Sequence, residues 1–144
     1  MTTPEPVLTP RLVVDGAAEA IEMYQRILGA QCLERFTDSA GRIVHAALSI
    51  RGAVFALVDA DGIHNQSARD VKSPVILNVM VEDPDETAAA FAQEGGRILI
   101  PVGDQFYGYR EGRVADKFGH LWIVSRKLED LSREEITRRL RSMG

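Results

Sequence analysis

The side chains best suited to hold a small organic molecule are concentrated in one segment, DQFYGYREGRVADKFGHLW, which runs from Asp104 to Trp122. Pockets for small molecules are mostly apolar and aromatic, with a few placed polar groups. Tyr107 and Tyr109 combine a ring with a hydroxyl, and Trp122 offers a flat face for stacking. Arg110 could bind an acidic ligand through its guanidinium. The alternative is that the two tyrosines only alternate across an edge strand.

The three histidines do not form an evident catalytic cluster. His45 lies on a predicted strand, where it either lines a ligand site or bonds to a neighbour across the sheet. His64 falls in a polar loop and His120 directly follows a turn glycine, so we interpret the first as solvated and the second as structural. Cys32, the single cysteine, has no evident histidine partner. The catalytic residues therefore stay unknown, and we assign no chemistry to Arg113.

Composition places these residues in an ordinary globular chain. Its 144 residues are 45% hydrophobic and 26% charged, with a formal net charge of -4. The acidic balance argues against general nucleic-acid binding. No apolar run reaches the roughly 20 residues that a membrane helix needs. The start, MTTPEPVLTP, lacks the basic and apolar regions of a secretory signal, so we expect a cytoplasmic protein without a membrane or nucleic-acid partner.

An internal repeat predicts the elements that position the candidate residues. LVVDGAAEAIEMYQRILGA begins at Leu12, and the similar VMVEDPDETAAAFAQEGGR begins at Val79, 67 positions later. Such periodicity decides the architecture, so it takes precedence over local signals. Applied without a gap, this single offset makes the following pairs: Tyr24 with Phe91, Gly29 with Gly96, Leu33 with Ile100, and Phe55 with Trp122.

Each half has the pattern of a strand, a helix and three further strands. Apolar residues from Ala17 to Leu28 recur at helical spacing, which indicates one buried helical face. Asp83 is a predicted N-cap with Glu86 three residues later, and Gly16 with Glu19 occupy the matching places in the first half. The fold class is α+β: two βαβββ modules (residues 1–60 and 75–127), a linker (61–74) and a C-terminal helix (128–144). Each half alone would be marginally stable, so we expect both to contribute to one domain.

The sequence resembles the vicinal oxygen chelate superfamily, which includes glyoxalase, bleomycin resistance proteins and extradiol dioxygenases, and is most similar to its PhnB-like branch. The blocks that carry the resemblance are TPRLVVDGAAEAIEMYQRILGA, HAALSI, DQFYGYREGRVADKFGHLW and LEDLSREEITRR. The resemblance implies a bacterial homodimer whose curved, mainly antiparallel sheets surround a cleft. It also implies small-molecule binding or lyase and isomerase chemistry.

The metal ligands of that superfamily lie on the first and last strands of each module. The family pattern places them near Thr9, Ala56, Ile76 and Ile123 in this sequence. None of these side chains is a good ligand, because catalytic metal sites use His, Cys, Asp or Glu. We therefore expect no metal and no other cofactor.

Three functions remain open. The first is a binding module that holds a metabolite or antibiotic in a metal-free aromatic cleft, with Phe55 and Trp122 either as walls of the cleft or as core residues. The second is a lyase or isomerase with an atypical or absent metal site, acting through His45, Tyr109 or Asp104. The third is an interaction protein that uses the C-terminal helix, whose apolar stripe is thin.

Overall fold

The computed structural model describes residues 6–143. In chain order the elements are β1 (Arg11–Val14), α1 (Ala17–Leu28), β2 (Gln31–Thr37), β3 (Ile43–Ile50), β4 (Ala53–Asp59), β5 (Ile76–Met80), α2 (Pro84–Gln93), β6 (Arg97–Asp104), β7 (Tyr109–Ala115), β8 (Leu121–Lys127) and α3 (Arg133–Met143). The predicted α+β class, with two βαβββ modules and a C-terminal helix, is confirmed.

The chain consists of two compact units, and the boundary between them in the sequence lies between Ser73 and Pro74. The finer division into modules 1–60 and 75–127, linker 61–74 and helix segment 128–144 stays a prediction. Residues 1–5 and 144 of that division lie outside the described residues. None of the helices within residues 6–143 has the length and apolar character that crossing a membrane requires.

The first unit contains a four-stranded sheet in the order β1-β4-β3-β2, with α1 packed on one face. The β1–β4 pair is parallel and the other pairs are antiparallel. Tyr24 of α1 contacts the Phe55 ring edge-on, with centroids 5.8 Å apart. Gly16 is the N-cap of α1, as its matching place in the repeat predicts, but glycine has no side chain to accept a hydrogen bond. Asp59 Oδ1, from the end of β4, accepts instead from the Ala17 amide at 2.7 Å.

The second unit repeats the arrangement with the strand order β5-β8-β7-β6 and α2 on one face. Here the predicted N-cap is confirmed: Asp83 Oδ1 accepts from the Glu86 amide at 3.1 Å, and Pro84 begins the helix. Phe91 of α2 stacks on Trp122 with centroids 6.2 Å apart. The two helix–strand ring pairs, one in each unit, thus occupy equivalent positions.

The strand registers show that the offset between the two halves is not constant along the chain. Gln31 pairs with Ser49 in the first sheet and Arg97 with Ala115 in the second, so β2 and β3 match β6 and β7 at an offset of 66. The offset of 67 holds for β1, α1 and β4, because Arg11 pairs with Ala56 and its counterpart Asn78 with Ile123.

The offset changes because the second half lacks one residue of the first half at one point and has one extra residue at a later point. The residue is lost at the end of α2, where Gly95 takes the left-handed conformation that Gly29 has after α1. It is regained in the turn before β8, which is one residue longer than the Arg51–Gly52 turn. The predicted pairs of Gly29 with Gly96 and Leu33 with Ile100 are therefore wrong, and His45 corresponds to Glu111.

The C-terminal segment is attached to the turn between β6 and β7. The amides of Leu128 and Glu129 both donate to the Gly108 carbonyl, at 2.8 and 3.1 Å. In α3, Arg139 Nη1 donates to the Phe106 carbonyl at 3.0 Å. Ser132 directly precedes α3, and its hydroxyl accepts from the Glu135 amide at 3.1 Å. This end of the chain therefore holds the turn in place.

Candidate ligand-binding site in the second unit

Strand alternation gives the second sheet two different faces. Trp122 and Val124 of β8 lie on the face that packs against α2 and are buried. Ile123 lies on the opposite face, which we call the helix-free face, because successive side chains of a strand point to opposite sides. Ile123 pairs in register with Arg113 and Ser125 with Glu111, so these side chains share that face.

A cavity of about 120 Å³ lies on the helix-free face. Ile100 of β6 and Ile123 of β8 supply apolar walls, and Glu111 and Arg113 of β7 supply charged ones. Tyr107 reaches it from the β6–β7 turn. The combination of apolar walls with few polar groups is that of a small-molecule site, although the volume holds only one end of a drug-sized ligand.

Local sequence explains how these residues meet. Gly108 has a φ of 90°, and a Cβ there would lie 2.8 Å from the Glu129 carbonyl oxygen, so this turn position requires glycine. Gly112 lies between Glu111 and Arg113 of β7. A Cβ on Gly112 would lie 2.8 Å from Val102 Cγ2, so its absence lets the irregular strand β6 pass close to β7.

Glu111 is the titratable group of the cavity with a shifted pKa. The Tyr107 hydroxyl donates a hydrogen bond to its Oε1 atom. Burial raises the pKa of the Glu111 carboxyl above its usual value, and the positive charge of Arg113 offsets only part of that shift. Glu111 is thus a carboxyl group that takes up a proton more readily than an exposed glutamate does.

Arg113 has an unusual hydrogen-bond status. Its Nε atom is buried and finds no hydrogen-bond partner within the part of the chain that the structure describes. A buried donor left without an acceptor costs about 1–3 kcal/mol, and such atoms in native proteins call for an explanation. Arg113 also lines the cavity, where its guanidinium can meet a ligand acceptor.

Of the sequence-predicted ligand residues, Tyr107 and Tyr109 lie beside this cavity or line it. Their rings are 6.0 Å apart, and the Phe106 ring meets Tyr107 edge-on at 5.0 Å. Tyr109 belongs to the helix-free face, because it precedes Glu111 by two positions on β7. The three rings form an aromatic rim at one end of the sheet.

Phe55 and Trp122 occupy core positions, one in each unit. Phe55 is 7% exposed and Trp122 is 3% exposed, and each packs against the helix of its own unit. Trp122 Nε1 donates to Asp116 Oδ2 at 2.9 Å, while Asp116 Oδ1 accepts from the amides of Phe118 and His120. The indole therefore fixes the turn before β8, and neither ring lines the cavity.

Arg110 and His45 are engaged elsewhere. Arg110 donates twice to the Asp85 carboxylate at 2.8 Å and once to Asp104 at 2.9 Å. The guanidinium holds the pKa of Asp85 below its usual value. His45 Nε2 lies 3.0 Å from Glu34 Oε1 on the first sheet. Neither residue lines the cavity of the second unit.

Sequence reasoning missed the two charged residues of the cavity. Glu111 and Arg113 follow Tyr109 at intervals of two, so strand alternation places all three on one face. That signal was present in the sequence. The folded chain, and not the sequence, shows which face is helix-free. It also shows that Arg113 Nε has no acceptor among residues 6–143.

The structure also locates the positions that would carry metal ligands in metal-dependent proteins of the predicted class. Ala56 lies on β4, Ile76 on β5 and Ile123 on β8, and Thr9 precedes β1. Among residues 6–143, no three His, Cys, Asp or Glu side chains are grouped so that they could hold a metal ion. The cavity offers one carboxylate, that of Glu111.

Two βαβββ modules, with a partly apolar cavity on the helix-free face of one sheet, define a glyoxalase-like protein. A family model of the Glyoxalase/Bleomycin resistance protein/Dioxygenase superfamily matches residues 7–124. The chain belongs to this superfamily, as the sequence motifs predicted.

Similar proteins support the assignment. An uncharacterized protein of Mycobacterium bovis is 33% identical over 97% of this chain and 95% of its own length. The crystal structure of TioX from Micromonospora sp. ML1 is 26% identical, with a TM-score of 0.65, covering 86% of this chain and all of that one. A PhnB protein from Bacillus cereus has the same TM-score and coverage at 20% identity, which shows a shared fold.

Proposed function

We propose that the protein binds a small organic molecule, without a metal ion, and that one end of this molecule occupies the cavity of the second unit. The observation that carries the proposal is the cavity itself, which the side chains of Arg113 and Glu111 line together with apolar and aromatic walls. Membership of a superfamily whose name includes bleomycin resistance proteins agrees with binding as a function. The ligand is a metabolite or an antibiotic.

The ligand residues of this proposal differ in part from those predicted from the sequence. Tyr107 and Tyr109 stay in the site, and Ile100, Glu111, Arg113 and Ile123 join it. Trp122 supports the site from the core of the second unit, whereas Phe55 lies in the core of the first. Arg110 stabilises the outer side of β7 through its carboxylate partners. His45 belongs to the first unit, where its role as a ligand contact stays a prediction.

Native mass spectrometry of protein purified without chelators tests the proposal first. We expect a homodimer that carries an organic adduct and no stoichiometric transition metal. A stoichiometric metal would contradict the metal-free site.

The position of the adduct is tested with two variants of β8. Ile123→Phe should fill the cavity and abolish retention of the adduct, because the added ring takes the space of the ligand. Leu121→Phe places the same ring on the same face, outside the cavity lining, and should retain the adduct. Equal retention by both variants would refute binding at this cavity.

A lyase or isomerase is the second candidate, and one observation favours it. Burial raises the pKa of Glu111 beside the Tyr107 hydroxyl, which suits a group that exchanges protons with a bound molecule. The test is to incubate the retained ligand with the protein in D₂O and follow the ligand by NMR. Deuterium incorporation or a new product that Glu111→Gln abolishes would support an enzyme. A ligand returned unchanged would exclude it.

A further inference from the structure

Arg113 lines the cavity with a guanidinium whose hydrogen-bonding capacity is partly unused. A guanidinium carries five N–H donors in a fixed plane and accepts nothing, so it can be satisfied only by acceptors. The Nε donor is buried and has no acceptor among residues 6–143. Because Arg113 lines the cavity, an acceptor that enters the cavity can reach this side chain.

The nearby carboxylates are already committed to other partners. Glu111 accepts from the Tyr107 hydroxyl, and burial raises the pKa of its carboxyl group. On the adjoining strands, Asp104 is paired with Arg110. Lys127, next to Tyr109 in register, is paired with Asp130. Among residues 6–143, Arg113 forms no close ion pair, and Glu111 is the carboxyl group that its positive charge affects.

The residues around Arg113 indicate the chemical character of the rest of the ligand. Ile100 and Ile123 offer aliphatic surface, and the Tyr107 ring offers an aromatic edge or face. Planar carboxylates match the planar fork of a guanidinium, and they commonly form two parallel hydrogen bonds with it. An aromatic or aliphatic acid would thus satisfy both the charged and the apolar walls.

We infer that the cavity is an oxoanion site, in which Arg113 binds the carboxylate or related oxoanion of a ligand whose apolar part lies against Ile100, Ile123 and Tyr107. This inference rests on the proposed function, since it names the chemical class of the ligand. It assigns Arg113 as the principal specificity residue. Glu111 and Tyr107 are placed to donate further hydrogen bonds once Glu111 is protonated.

Benzoate and benzamide provide a matched pair of probes, because they share shape and differ in charge. NMR of the full-length protein would follow the Nε–H signal of Arg113 together with the signals of Tyr107 and Ile123 during each titration. We expect benzoate to shift all three signals saturably and benzamide to bind at least about tenfold more weakly, as loss of a charge-assisted hydrogen bond predicts.

Two variants separate charge from geometry. Arg113→Gln should lower the affinity for benzoate by about tenfold or more, and Arg113→Lys should recover only part of it, since lysine lacks the planar fork. Arg126→Gln removes a cation from the same unit outside the cavity and should leave the affinity unchanged. Unchanged benzoate affinity in a folded Arg113→Gln protein would refute the inference.

The inference and the proposed function can fail separately. If benzamide binds as tightly as benzoate and shifts the Tyr107 and Ile123 signals, the cavity binds neutral molecules, and only the oxoanion inference is wrong. If neither probe moves the Arg113 signal, the oxoanion inference is also refuted. The proposed function is refuted instead by equal adduct retention in Ile123→Phe and Leu121→Phe, which does not depend on ligand charge.

Discussion

Replacing Trp122 by phenylalanine should destabilise the second unit strongly. The substitution removes the hydrogen bond from Nε1 to Asp116 Oδ2, which is 2.9 Å long and joins two buried side chains. A hydrogen bond to a charged group contributes about 1.5–3 kcal/mol. The smaller ring also loses apolar contact with Phe91, which costs about 1–2 kcal/mol in a well-packed core. We therefore expect a loss of about 3 kcal/mol or more in the free energy of unfolding.

Urea denaturation followed by circular dichroism measures this loss. With a slope of about 2 kcal/mol per molar urea, the midpoint should fall by about 1.5 M at an unchanged slope. A double-mutant cycle with Asp116→Asn isolates the hydrogen bond from the lost ring contact. We expect the two substitutions to be clearly non-additive. A midpoint shift below about 0.5 M, or simple additivity, would refute the assigned role of the indole.

The same variant separates a core role from a ligand role. Benzoate affinity per folded molecule should stay unchanged in Trp122→Phe, because the indole lies on the side of the sheet that faces α2. A large loss of benzoate affinity in a folded Trp122→Phe protein would contradict the core role. It would support the sequence-based prediction that Trp122 contacts the ligand.

Three further predictions follow from the charged groups. Affinity for benzenesulfonate, which stays anionic, should rise as the pH falls through the raised pKa of Glu111, because protonation removes a repelling charge; Glu111→Gln should abolish this dependence, and a pH dependence that persists would contradict it. Arg110→Met should raise the pKa of Asp85 toward its usual value, measured by NMR, while benzoate affinity stays constant. In the unmodified protein, the stability that this pair contributes at neutral pH is lost as the pH falls through the depressed pKa of Asp85. A free energy of unfolding that does not change over this acidic range would contradict the pairing. Arg139→Met should speed hydrogen exchange at the Leu128 and Glu129 amides, and unchanged exchange would show that α3 does not hold the turn.

Much of the architecture was predictable because it depends on local patterns. The helical spacing of Ala17, Tyr24 and Leu28 requires a buried face, and Asp83 followed by Pro84 marks a helix start. Both signals are read within a few residues. The repeat then fixes which strands neighbour each other, and the predicted pair of βαβββ modules follows.

The register of individual strands was less predictable. The second half lacks one residue after α2 and has one extra residue before β8, and these two differences cancel. The sequence matches at both ends of the repeat therefore conceal a shift of one position in the strands between them. A shift of one reverses the face of every side chain in a strand. The sequence alone therefore pairs His45 with a residue of the wrong face, while the structure pairs it with Glu111.

The candidate site was predicted in part. Tyr107 and Tyr109 were identified by residue type, and the structure places them beside the cavity. Arg110 is the arginine that the sequence predicts as a partner for an acidic ligand, but strand alternation directs it toward Asp85 on the other side of the sheet. Which arginine keeps an unused donor depends on long-range partners that spacing does not reveal.

The hydrogen bonds from the C-terminal segment to Phe106 and Gly108 couple the stability of α3 to that of the cavity wall. Tyr107 lies between those two anchored carbonyls, so any process that releases α3 also loosens the ring that lines the cavity. Linkage requires the converse as well: an occupied cavity protects α3 from proteases. The rate at which the C-terminus is cleaved is thus an indirect measure of occupancy, readable without a labelled ligand.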